Sequence, residues 1–260
     1  MQDAPAPRPF LFFNLFKIGV DNMNFEIIRG VKPAPPRIIL YGLEGIGKST
    51  FAAGLPSPIF IQTEDGLNNI DCARFPLPVN FDDVIRQLCE VNNYGDEFKT
   101  VVIDSLDWLE RIIWDAVSNE NKVDNIEKIG FGKGYVMALT YWKKILQCLD
   151  ILRKNNKIIC LLAHAVAEDY SDPEVQGIKR FTPRLHKGAR SLLTEWADCV
   201  LLATREHGAA LGELDNPRIL RTTPMPYQFA KTRYPLPETL PLNPLQLLSL
   251  IKESQKIGEN

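Results

Sequence analysis

Five short apolar runs limit what this chain can fold into. They are "IIL" at 38–40, "IFI" at 59–61, "VVI" at 101–103, "IICLLA" at 158–163 and "CVLLA" at 199–203. A strand with one wet face alternates apolar and polar residues. An unbroken run buries both faces, as in a parallel sheet covered by helices on each side. Helical stripes lie between the runs. Leu106, Leu109, Ile113 and Ala116 form one; Tyr135, Leu139, Trp142, Leu146 and Leu149 form another. Both spacings read as core faces. Strands alternating with helices predict a doubly wound α/β fold. After residue 215 the texture changes: "RILRTTPMPYQFAKTRYPLP" predicts a β-hairpin and "NPLQLLSLIKES" a closing helix.

The 260 residues, 45% apolar, suffice for one large domain or two small ones. Net charge is only −2, so any contact with nucleic acid must come from a local patch. The five cysteines are widely spaced, odd in number and without a C-x-x-C pair. That argues against a disulfide framework or zinc site and fits a reducing compartment, the cytoplasm. No apolar run reaches the ~18 residues that cross a bilayer. "PRPFLFFNLFKIGV" lacks the basic lead and cleavage site of a signal peptide. Met23 opens "MNFEIIRG", which reads as a true start. Residues 1–22 are then an extension that packs loosely or not at all, and 23–255 form one domain.

"YGLEGIGKST", residues 41–50, carries the chemistry. Gly42, Gly47, Lys48 and Ser49 match G-x-x-x-x-G-K-S, the phosphate-binding loop, or P-loop. The match follows an apolar strand and precedes a helical segment, as the motif requires. Without side chains, successive backbone amides converge on phosphate oxygens. The cofactor-binding stretch is therefore Gly42, Leu43, Glu44, Gly45, Ile46, Gly47, Lys48, Ser49 and Thr50. Lys48 is expected to reach the β- and γ-phosphates and Ser49 to ligate Mg²⁺.

A second Mg²⁺ group should end a neighbouring buried strand. "TVVIDSLDWL" supplies Asp104, which also suits a helix N-cap. Ser105 supports it, and Asp107 reads as first-turn helix charge. "IFIQTEDGL" offers Glu64 and Asp65 as the base for the attacking water; Glu64, nearer the strand, is preferred. His164 ends "IICLLAH" and reads either as a γ-phosphate sensor or as a hydrogen-bonded core histidine. His186 and His207 receive no role.

The order "GLEGIGKST", "IFIQTEDG", "VVIDSL", "LLAHA", "FAKTR" resembles the RecA-like ATPases. It is most similar to the phage AAA-family proteins regarded as single-strand annealing recombinases, from about Met23 to Ile251. The resemblance implies a RecA-like P-loop core: a mostly parallel sheet flanked by helices, with a C-terminal β-hairpin and helix. It implies ATP and Mg²⁺ as ligands, Asp104 on the metal, Glu64 as the base and His164 at the sensor position. It further implies a homo-oligomer, ring or filament, in which Lys231 and Arg233 reach the neighbour's ATP.

RecA-like proteins hold single-stranded DNA on loops after central strands. Here Lys179, Arg180, Arg184 and Lys187 surround Phe181, with Arg190 close behind and Tyr170 ahead. Cations with an aromatic platform suit single strands; a solvated basic loop is the alternative. "ENKVDNIEKIGFGKGY" is a second, weaker loop. The reading is an ATPase acting on single-stranded DNA in phage recombination, with a single-strand-binding protein as a further partner. The alternatives are a nucleotide-gated DNA-binding module with negligible turnover, and a P-loop helicase loader or nucleotide kinase.

Overall fold

The computed structural model describes residues 27, 29, 30, 32–171, 177–206 and 216–257. The expected extension, 1–22, and His207 lie outside them. Contacts divide the chain into Met1–Val31 and Lys32–Asn260, and the second unit carries the fold.

β1 (Arg37–Gly42) leads through the glycine-rich turn into α1 (Lys48–Ala53). β2 (Pro58–Gln62), the short β3 (Ala73–Arg74) and α2 (Phe81–Glu90) follow. β4 (Thr100–Asp104) precedes α3 (Leu106–Glu120) and α4 (Lys133–Lys154). β5 (Ile158–Tyr170) turns back as β6 (Ile178–Pro183), and α5 (Lys187–Trp196) leads to β7 (Cys199–Arg205). β8 (Arg218–Arg221), β9 (Lys231–Thr232), β10 (Thr239–Pro241) and α6 (Pro244–Ile257) complete the unit.

The sheet order is β10-β8-β7-β1-β5-β4-β2-β3. Neighbours from β7 through β3 are parallel. The five apolar runs are its five central strands, and both of their faces are dry. Ile39, Tyr41, Ile61, Ile103 and Leu161 face a layer built from α2, α3, α4 and α5. Ile38, Leu40, Phe60, Val102 and Leu162 face α1 and α6. Each large apolar side chain so withdrawn contributes about 1.5–3 kcal/mol, which is why both faces needed apolar residues. The mostly parallel sheet between helices is the architecture the RecA-like resemblance implies.

Two expectations need correction. The C-terminal segment does not form a simple hairpin: β8 pairs with β7 and β10, whereas β9 pairs with the opposite end of β7. The closing helix is present as α6. The basic segment 178–190 is not a loop either. β5 runs on past its apolar part and pairs with β6 from Ala165↔Pro183 to Tyr170↔Ile178. This sets Glu168 opposite Arg180 and Asp169 opposite Lys179, so acids offset a stretch that looked purely basic.

Candidate nucleotide-binding site

The parallel register brings the motifs to one edge of the sheet. Gly42 aligns with His164 on β5 and Ala203 on β7, and Gln62 aligns with Asp104. These are the carboxyl ends of the strands, where doubly wound sheets bind ligands.

The glycines have separate reasons. A Cβ on Gly42 would stand 2.5 Å from the Ala203 carbonyl oxygen, so the loop leaves β1 only without a side chain. Gly47, at φ +104°, takes the left-handed turn that starts α1. Lys48 is buried and its Nζ donates to the carbonyls of Gly42 and Leu43, each at 3.1 Å. Burial lowers its pKa; attraction to Asp104, Glu44, Asp107 and Glu64 opposes that. The ammonium therefore lies against the carbonyls at the start of the loop.

Ser49 Oγ donates to Asp104 Oδ2 at 2.6 Å. Asp104 is buried, which raises its pKa; the Ser49 hydrogen bond works the other way. Ser105, not Asp104, occupies the N-cap position of α3, so the carboxylate is committed to Ser49. A hydroxyl and a carboxylate in contact are the hard oxygen pair that Mg²⁺ takes alongside phosphates. These residues fit the implied ion.

Glu64 lines the same pocket, of about 510 Å³, with Lys48, Ser49, Asp104 and His164. Asp65 does not line it and instead accepts from Asn68 at 3.0 Å. The preference for Glu64 therefore has a geometric basis. Thr63, which sequence reasoning passed over, fixes this corner. Its hydroxyl donates to the Ser105 carbonyl and accepts from the Ser105 amide, both at 2.7 Å. Its own amide donates to the Asp104 carbonyl at 2.7 Å. The residue before Glu64 and the Asp104–Ser105 backbone are thus clamped across β2 and β4.

His164 lines the pocket and is hydrogen-bonded, as the core-histidine reading expects. Its Nδ1 lies 3.0 Å from Asp107 Oδ2 and its amide donates to Asp107 Oδ1 at 3.1 Å. Asp107 also accepts from Arg184 Nη2 at 2.9 Å. Burial alone would raise the Asp107 carboxyl. Hydrogen bonds from His164 and Arg184 outweigh that and hold it well below the usual carboxylate range. Asp107 is more than first-turn charge: it joins His164 to the end of β6. Arg184 reaches on to Glu44 of the P-loop at 3.4 Å.

The expected DNA cations separate accordingly. Arg184 is engaged with Asp107 and Glu44. Arg180 stacks over Tyr170 at 4.5 Å and Phe229 at 5.3 Å, so Tyr170 supports a cation from this chain. Arg190 pairs with Glu168 at 2.7 Å. Lys179, Phe181 and Lys187 are exposed. Among the described residues, neither lysine has an ion-pair partner.

Lys231 and Arg233 lie at the other end of the sheet. β9 pairs with the start of β7, whereas the P-loop follows the end of β1. Lys231 Nζ donates to the carbonyls of Thr194, Glu195 and Ala197 at 2.8–2.9 Å, closing the C-terminus of α5. Arg233 pairs with Asp198 at 3.1 Å, beside Arg37 and Arg153. The residues expected to reach a neighbour's ATP thus also make these contacts within their own chain. Arg218, which drew no attention in the sequence, lines the phosphate pocket instead.

Behind Asp107 sits Glu110, only 4% exposed. Its Oε2 accepts from the His186 amide at 2.9 Å, and its Oε1 is buried with no partner among the described residues. Burial raises its pKa from 4.5 to about 7, against the His186 hydrogen bond. Between those values the folded state keeps a proton that the unfolded chain has released. Stability therefore falls as pH rises through that window and stays lost above it. Glu110→Gln is expected to raise the melting temperature at about pH 8 and to leave it unchanged near pH 4. Thermal unfolding across that range checks this; a constant offset between the two proteins would contradict it.

A phosphate loop, a buried lysine and a serine–aspartate pair on a mostly parallel sheet define the class: a P-loop nucleotide site. The AAA domain family model matches residues 34–234, and the chain belongs to that family. Among curated proteins, the SPbeta prophage-derived uncharacterized protein YorG of Bacillus subtilis (strain 168) is 23% identical over 171 residues. That alignment covers 63% of this chain and 51% of YorG, so the chain spans about half the length of that relative. Among solved structures, the KaiC-like protein PH0186 from Pyrococcus horikoshii OT3 matches with 15% identity and a TM-score of 0.41. The match covers 73% of this chain and 79% of that one. Among the described residues, no helix is long and apolar enough to cross a membrane.

Proposed function

We propose that the protein binds and hydrolyses ATP and uses the nucleotide state to control a grip on single-stranded DNA. The observation that carries the nucleotide half is the Ser49–Asp104 hydrogen bond beside Lys48, with Glu64 in the same pocket. When bound, Mg²⁺ supplies neutralisation of the triphosphate's charge. Ser49 and Asp104 would hold that ion. The loop amides and Lys48 orient the phosphates, and Glu64 accepts the proton of the attacking water. A base placed for water favours hydrolysis over transfer to a second substrate.

The DNA half rests on the resemblance and on the β5–β6 hairpin. Exposed Lys179, Phe181 and Lys187 offer two cations and a stacking ring. Arg184 ties the hairpin's base to Glu44 and to Asp107, which holds His164. Loss of a γ-phosphate beside His164 would thereby reach the hairpin. The prophage origin of YorG supports a phage setting, and assembly into a ring or filament belongs to the same proposal.

ATP turnover measured with and without single-stranded DNA tests this reading. Stimulation by DNA is expected. Neutralising Lys179 and Lys187 together should weaken DNA binding and flatten its salt dependence by about 0.7 per lost phosphate contact. An unchanged salt slope would remove the hairpin from the DNA site.

A further inference from the structure

Arg218 opens β8, and no step above uses it. Its Nη1 lies 2.9 Å from the point where a Cβ on Gly47 would stand, and its Cζ 3.8 Å. The missing side chain at Gly47 therefore makes room for a guanidinium as well as for a turn. Leu242, whose amide donates to the Arg218 carbonyl at 3.0 Å, brings its Cδ2 to 3.6 Å from the same point. Arg218 is exposed and lines the phosphate pocket with Gly47, Lys48 and Thr50. Among the described residues it has no carboxylate partner.

Its place in the sheet says which part of a ligand it meets. Asp104 ends β4 and Glu64 follows β2, both strands on one side of β1. β8 lies on the other side, beyond β7. A triphosphate whose terminal phosphate points to Asp104 and Glu64 must run its inner phosphates and nucleoside toward β8. We propose that Arg218 is a nucleotide-binding residue acting within its own chain. It grips the α- and β-phosphates while Leu242 supports the nucleoside beside them. This deepens the proposed function and rests on it. It also places a cation on the site from the same chain, in addition to any that a neighbour supplies.

The geometry sets a discriminating test. The α- and β-phosphates are common to ADP and ATP, whereas the γ-phosphate is not. Arg218→Ala should weaken ADP and a nonhydrolysable ATP analogue by the same factor, about ten- to a hundredfold for a lost charge-assisted hydrogen bond. Arg218→Lys should recover part of the loss, because the charge remains while the planar fork does not. Titration calorimetry with Mg²⁺ and each nucleotide, on wild type, both variants and Lys48→Ala, supplies the readout. Circular dichroism confirms that each variant is folded, as expected for an exposed position. Unchanged affinity in Arg218→Ala, with binding lost in Lys48→Ala, would overturn this assignment and leave the nucleotide site standing. A loss confined to the ATP analogue would overturn it too, by moving the guanidinium to the γ-phosphate. Failure of the wild type to bind either nucleotide would overturn the proposed function and this inference together.

Discussion

Glu64→Gln should leave the affinity for Mg·ATP intact and reduce turnover by about 10²–10⁴-fold, the usual contribution of a general base. Glutamine keeps the length and hydrogen-bonding shape of glutamate but cannot accept a proton from water. Binding should survive because the groups that hold the phosphates, the loop amides, Lys48, Ser49 and Asp104, are untouched. Position supports the choice. Glu64 follows Thr63, whose three hydrogen bonds to the Asp104–Ser105 backbone fix where the next side chain can go. Steady-state turnover and equilibrium binding, measured on the same preparation, separate the two effects. Unchanged turnover would move the base elsewhere in the pocket, and a parallel loss of affinity would make Glu64 part of the metal site.

Lys48→Ala should abolish measurable nucleotide binding without unfolding the protein. The ammonium is buried and held by two carbonyl oxygens, and burial already lowers its pKa. Removing it relieves a desolvation cost, so the fold should tolerate alanine. The ligand loses its only P-loop side-chain cation. Thermal shift gives a direct reading. A ligand at a hundred times its Kd stabilises the native state by about 2.7 kcal/mol, and that shift should appear in wild type and vanish in the variant. A retained shift would mean that the nucleotide binds away from Lys48.

The legible parts of this protein were those whose physics is local. The runs at 38–40, 59–61, 101–103 and 199–203 announced buried strands because two dry faces demand unbroken apolar sequence. The P-loop was legible because its glycines and lysine act within ten residues. What stayed hidden depends on partners far along the chain. The end of β5, "AEDY", reads as a polar loop until β6 returns to pair with it. Asp107 looks like ordinary helix-start charge, yet its partners His164 and Arg184 lie 57 and 77 residues away. The own-chain partners of Lys231 and Arg233 were hidden too, because spacing does not say which end of a sheet a strand joins. Pairing of Cys199 with Thr232 puts them at the end away from the phosphates. Arg218 sits in "NPRIL" with no local signal; only the approach of β8 to Gly47 gives it meaning.

Bare backbone amides between Gly42 and Ser49 are expected to hold a nucleotide's phosphate tail. Hydrogen exchange of that segment, followed with and without Mg²⁺ and a nonhydrolysable ATP analogue, measures those amides themselves. Marked slowing of exchange on saturation is the predicted result. Exchange that stays the same while the ligand is demonstrably bound would mean that these amides do not hold the phosphates.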